Sequence, residues 1–149
     1  MTAMKPVVQL QRTGCGIASV ATVAGVRYRQ AQRVANHLGI YAEDKRLWSE
    51  TAHVRRLLQH YGIRAARIEA PFESWPALPD LALLAIKWRK VGDRAFWHWV
   101  VFGRGPNGPF VLDSQRALRT NVRTDFGCMR PKWFIAIKQP IGNAFLSIR

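Results

Sequence analysis

Three side chains in this sequence have the makings of nucleophilic catalysis. Cys15, in Gly14-Cys15-Gly16, opens a stretch of small and apolar residues that reads as a buried helix. Free backbone N–H groups at a helix start favour negative charge and stabilise a thiolate, the form in which cysteine attacks. His98 lies within Phe96-Trp97-His98-Trp99-Val100-Val101-Phe102, and a polar imidazole in so apolar a strand needs a partner. Asp113 closes Phe110-Val111-Leu112-Asp113. Taken singly, each has an ordinary explanation: an inert buried thiol, a core histidine bonded to a carbonyl, a turn residue. Taken together, a thiol, an imidazole to activate it and a carboxylate to hold the ring are the parts of a cysteine acyl-transfer site. Gln9, six residues before Cys15, has a side-chain amide that could join the Cys15 backbone N–H in holding a developing oxyanion; Gln11 is its rival, at four.

The elements around these residues must bring them together. The stretch from Cys15 to Ala24 is apolar nearly all round and stops at Gly25, so as a helix it should be buried. Ala31, Val34, Ala35 and Leu38 recur at helical spacing and end at Gly39; Val54, Leu57, Leu58 and Tyr61 do the same before Gly62. Ser49 is the expected cap of that third helix, with Glu50 in its first turn. Then the pattern changes. Residues 64–68, 81–88, 97–102, 110–112 and 133–137 read as strands, with Gly105-Pro106-Asn107-Gly108 as a turn signal between the third and fourth. The order, helices then strands, predicts an α+β domain with a buried helix on an antiparallel sheet.

The turn decides whether His98 and Asp113 can meet. A four-residue loop sets Arg104 against Pro109 and Asp113 against Val100, making Asp113 a diagonal neighbour of His98. A six-residue loop sets Asp113 directly opposite His98. A two-residue loop at Asn107-Gly108 moves the pair four positions out of register.

Composition narrows the remaining possibilities. A chain of 149 residues fits one domain, 1–149. No apolar run reaches the roughly 18 residues of a membrane span, and the first six residues open no signal-peptide stretch. Two cysteines, Cys15 and Cys128, are too few for a disulfide scaffold, and a reducing, cytoplasmic setting is expected. Cys128 has no nearby histidine or helix start and reads as structural. His53 and His60, seven apart, and His37 offer no shared coordination site; no metal and no cofactor is expected. The net charge of +14 fits an acidic partner or nucleic acid. Residues 114–149 carry Arg116, Arg119, Arg123, Arg130, Lys132, Lys138 and Arg149 against Asp125 alone. The basic residues are scattered, however, and form no arm of five.

Gln9-x5-Cys15-Gly16 at a helix start, His98-Trp99-Val100-Val101, then Leu112-Asp113 resembles the papain-like cysteine peptidases, most of all the bacteriocin-processing double-glycine peptidases of cysteine peptidase family 39. Their pattern is Gln, six residues on Cys-Gly, about eighty on His, about fifteen more to Asp; here the steps are 6, 83 and 15. The resemblance implies a papain-like fold, with Cys15 as nucleophile, His98 as general base and then acid, Asp113 as orienter of the ring and Gln9 as oxyanion donor. It implies a peptide or protein substrate, cleaved after a Gly-Gly pair in a narrow groove. The sequence departs from the exporter-borne peptidases at Gly14, where they usually carry Asp, in lacking a following transporter, and in its charge. Rival readings are a peptide-binding module, a deamidase or acyltransferase effector built on the same residues, and a basic nucleic-acid-binding domain.

Overall fold

The computed structural model describes residues 4–138. Four helices come first: α1 (Cys15–Ala24), α2 (Tyr28–His37), α3 (Arg46–Ser49) and α4 (Ala52–His60). Seven strands follow: β1 (Arg64–Ala65), β2 (Ala70–Pro71), β3 (Leu81–Val91), β4 (Arg94–Gly105), β5 (Gly108–Leu112), β6 (Val122–Arg123) and β7 (Pro131–Lys138). They form one antiparallel sheet in the order β1-β7-β3-β4-β5-β6, with β2 also on β7. The last strand therefore inserts beside the third, and the long hairpin β3–β4 forms the middle of the sheet. Among the described residues no helix is long and apolar enough to cross a membrane.

Helix α1 is buried from Cys15 to Thr22, as a helix without a polar face must be. It ends because Gly25 adopts a left-handed conformation, φ 73°, letting the Val26 N–H reach back to the Ala21 carbonyl at 3.0 Å. Gly16 lets its neighbours come close: a Cβ there would stand 3.2 Å from both Leu47 and Val54, on α3 and α4. The sheet's central strands are apolar on both faces. Leu81, Leu83 and Ala85 of β3 pack with the helices, together with Trp99 and Val101 of β4. Ala82, Leu84, Ile86, Val100 and Phe102 face the other way, onto Leu78, Met129 and the aromatic rings of Phe72, Trp75 and Phe126. The Trp99 indole N–H donates to the Leu47 carbonyl at 3.2 Å, tying α3 to β4.

Two expectations need correction. Ser49 does not cap α4. It is the last residue of α3, its hydroxyl donating to the Lys45 carbonyl at 2.6 Å, and Thr51 precedes α4. The strand expected over 64–68 is two residues long, because only Arg64 and Ala65 find ladder partners on β7.

Candidate active site

Cys15 is the first residue of α1, with Gly14 before it and no capping side chain. The Gly14 carbonyl accepts from Ala18, and no backbone carbonyl among the described residues takes the N–H of Cys15, Gly16 or Ile17. Three donors therefore point out of the helix start beside the sulfur.

His98 is carried by β4 and Asp113 follows β5. The hairpin pairs Arg104 with Pro109 and Gly105 with Gly108, the register of the four-residue loop, with Val101 opposite Leu112. Continuing that register, Asp113 stands against Val100, diagonal to His98. The diagonal is bridged: His98 Nε2 and Asp113 Oδ1 are 2.7 Å apart. Nε2 therefore carries the proton towards the carboxylate, which leaves Nδ1 for a second partner, and Cys15 is near enough to help raise the ring's pKa.

Asp113 is fully buried, and both of its carboxylate oxygens are engaged. Oδ1 also accepts from the Gln115 N–H at 3.1 Å, and Oδ2 accepts from Arg123 Nη1 at 2.9 Å. Arg123, itself nearly buried, reaches Asp125 with its other nitrogens. Asn121 then clamps the backbone, donating to the carbonyls of Asp113 and Gln115 at 2.7 and 3.0 Å. The electrostatics follow from these contacts. Burial alone would raise the Asp113 carboxyl, but the bonds from His98, Gln115 and Arg123 outweigh it and hold the group down at about 2. Burial likewise opposes charge on His98; the hydrogen bond to Asp113 and the nearness of Cys15 overcome it and push the imidazole up to about 9.

Gln9 is buried and lies beside this network, but its amide does not stand free. Nε2 donates to the carbonyls of Gln11 and Arg12 at 3.0 and 2.7 Å, while Oε1 accepts from the Ser114 hydroxyl at 2.8 Å. A backbone bond from Gln9 N–H to the Ser114 carbonyl, 2.9 Å, runs alongside. Gln9 thus ties the loop before Cys15 to the segment carrying Asp113. Gln11 is engaged elsewhere, accepting from the Tyr28 hydroxyl at 2.7 Å and donating to Glu43 at 3.3 Å.

Two participants escaped the sequence reading. Arg123 reads in sequence as one more scattered basic residue, yet it is the partner of Asp113 Oδ2, and nothing in its neighbours signals this. Tyr28 is the other. Its hydroxyl fills the space where a side chain at position 14 would begin, since a Cβ on Gly14 would overlap it. Burial pushes its pKa up to about 12, with negative charge at Cys15 adding to the shift. Gly14 is therefore matched to Tyr28. Gly14→Ala is expected to cost about 1–3 kcal/mol by overpacking, and most of that cost should vanish in a Tyr28→Phe background. A double-mutant cycle by urea denaturation checks it; strictly additive effects would contradict the contact. Cys128, expected to be structural, is exposed at the end of the 3-10 turn Phe126–Cys128. Among the described residues no three metal-binding side chains come together. Arg149 lies outside the described residues.

An α+β chain that brings a cysteine-headed buried helix against an antiparallel sheet has the fold of a peptidase domain. Among solved structures it resembles the crystal structure of the peptidase domain of Streptococcus ComA, a bifunctional ABC transporter involved in a quorum-sensing pathway. The TM-score is 0.52 at 16% identity, covering 92% of this chain and 99% of that one. No family model and no curated protein matches the sequence.

Proposed function

We propose that this chain is a cysteine peptidase using Cys15, His98 and Asp113, with oxyanion support from the Cys15 N–H and Gln9. The observation that supports it most is the His98 ring, bonded through Nε2 to a buried Asp113 whose two oxygens are both engaged, with Cys15 near enough to act on its charge. A ring held this way is oriented and kept protonated, ready to give its proton to a leaving group.

The Cys15 sulfur attacks the scissile carbonyl, and the C=O electrons move onto oxygen. The oxyanion rests on the free Cys15 N–H. Gln9 supplies the second donor by exchanging its bond to the Gln11 carbonyl, the longer of its two loop contacts. Collapse breaks the C–N bond as His98 hands its proton to the leaving amine, giving a thioester. Water, deprotonated by His98, then attacks the thioester; an acid leaves and the thiol–imidazole pair is restored. Each oxyanion donor contributes on the order of 3 kcal/mol. Cleavage after a Gly-Gly pair is the specificity that the resemblance suggests, since glycines pass through a narrow groove.

The same atoms could deamidate glutamine or transfer an acyl group, and one experiment separates these outcomes. A bacterial proteome is treated with the protein or with its Cys15→Ala variant, and termini are mapped by mass spectrometry. New N-termini made only by the unsubstituted protein are expected. Deamidated glutamines without new termini would replace peptidase by deamidase.

A further inference from the structure

The net charge of +14 is not spread evenly. Lys87, Trp88, Arg89, Arg130, Pro131 and Lys132 line a surface cavity of about 370 Å³ at one end of β3 and β7. Four of the six are cations, and no acid joins them. The described ion pairs involve Arg46, His53, Arg55, His98, Arg104 and Arg123, none in this cluster. The residues outside the described range contain no Asp or Glu that could neutralise it.

The backbone is bent to assemble this cluster. Between Ile86↔His98 and Arg89↔Phe96 strand β3 has one residue more than β4, so Lys87 and Trp88 bulge outward. Strand β7 bulges too, at Lys132, between Trp133 and Pro131. Lys87 and Arg130 have φ of 53° and 51°, the two non-glycine residues with left-handed backbone among those described. Such backbone is strained for residues with a Cβ, and it and bulges gather where function requires them. Here both flank one cavity, and like charges are held together without a counterion.

Register places the cavity relative to the chemistry. Ile86 stands opposite His98 on one side and Pro131 on the other. Adjacent strands lie about 4.8 Å apart, so the β7 side of the cavity, at Pro131, lies roughly 10 Å from His98, about three residues of extended peptide. On the proposed mechanism, His98 protonates the leaving amine, so the half of the substrate following the scissile bond lies on the His98 side.

We propose that this basic cavity binds an acidic segment of the substrate, selecting Asp or Glu about three residues beyond the scissile bond. The specificity rests on the peptidase reading; the binding itself does not. Nucleic acid is the less suited occupant. Single strands are gripped by stacking bases on aromatic faces, and the exposed ring here, Trp88, is covered by Lys132, whose Nζ is 4.8 Å from the ring centroid.

The test uses two labelled decapeptides sharing a Gly-Gly core, with Glu-Glu or Lys-Lys at the third and fourth residues after it. Binding is measured by anisotropy on the Cys15→Ala protein and cleavage on the unsubstituted one. We expect at least tenfold tighter binding, and at least tenfold higher kcat/KM, for the Glu peptide, with the advantage shrinking as salt rises. Arg89→Glu/Lys132→Glu should reverse the order, and tighter binding of the Lys peptide shows that the variant is folded. Preference in binding without any cleavage leaves the cavity assignment standing and removes the peptidase. Cleavage of both peptides alike, or no preference in binding, overturns the cavity assignment. So does a dT12 oligonucleotide that binds more tightly than the Glu peptide and is lost in the double variant; that outcome assigns the cavity to nucleic acid.

Discussion

His98→Ala is expected to lower the rate of the proposed cleavage by roughly 10⁴-fold or more, the range in which removal of a general acid–base or a triad member falls. The loss should sit in kcat, because the imidazole acts on the reacting atoms and grips no remote part of the substrate. The unsubstituted protein should lose the same activity as pH rises through about 9, where the ring, held up by Asp113 and Cys15 against the effect of burial, gives up its proton. Stability follows the same sign. The folded protein holds this proton more tightly than a free histidine, whose pKa is 6.5. The resulting stabilisation is complete below pH 6.5 and disappears as pH climbs through 9. The gap in Tm between the protein and His98→Ala should therefore narrow from pH 6 to pH 10. A gap that widened would mean that the ring is buried neutral.

Asp113→Ala should be the most damaging single substitution, for two reasons that separate experimentally. It strips Arg123, 10% exposed, of its buried partner, leaving that guanidinium only the outer Asp125. Breaking a buried pair from one side typically costs 3–5 kcal/mol. It also frees the His98 ring to turn, and loss of the orienting carboxylate in a triad can lower kcat by about 10⁴. Asp113→Asn keeps the volume and an acceptor for Nε2–H, so it should recover much of the stability while kcat stays low. Urea denaturation and steady-state kinetics on both variants check this; an alanine variant as stable as the original would contradict the paired, buried carboxylate. Acid should mimic the loss. The depressed carboxyl stabilises the fold above its ordinary value near pH 4, and this support goes as pH falls towards 2.

Much of this arrangement could be read from residues, and the exceptions share a cause. Helix α1 announces itself because ten small or apolar residues between glycines have no alternative to burial. The β3–β4 strands do so because long apolar runs need cover on both faces. The hairpin turn confined His98 and Asp113 to three registers, of which side-chain bonding across the diagonal fits the one found. The two-residue strands β2 and β6 could not be read, and β1 reads too long from sequence, since all three exist only where distant partners supply the ladder. Arg123 looked like any surface cation because what buries it is Asp113, ten residues back and across a turn. Gln9 showed its position but not its bonds: a free amide was expected, and the amide is tied to two carbonyls of its own loop. The basic cavity was invisible for the same reason, its cations coming from β3 and from β7 with the residue before it, which meet only in the sheet.

The central claim is that Cys15 and His98 form one reactive pair, and competitive alkylation measures this directly. Cys15 is buried and Cys128 exposed, so access alone makes Cys128 the faster to react. Limiting iodoacetamide at pH 6, followed by peptide mapping, should instead label Cys15 first, and His98→Ala should hand the advantage to Cys128. Cys128 labelled first in the unsubstituted protein, with His98→Ala making no difference, would contradict the account.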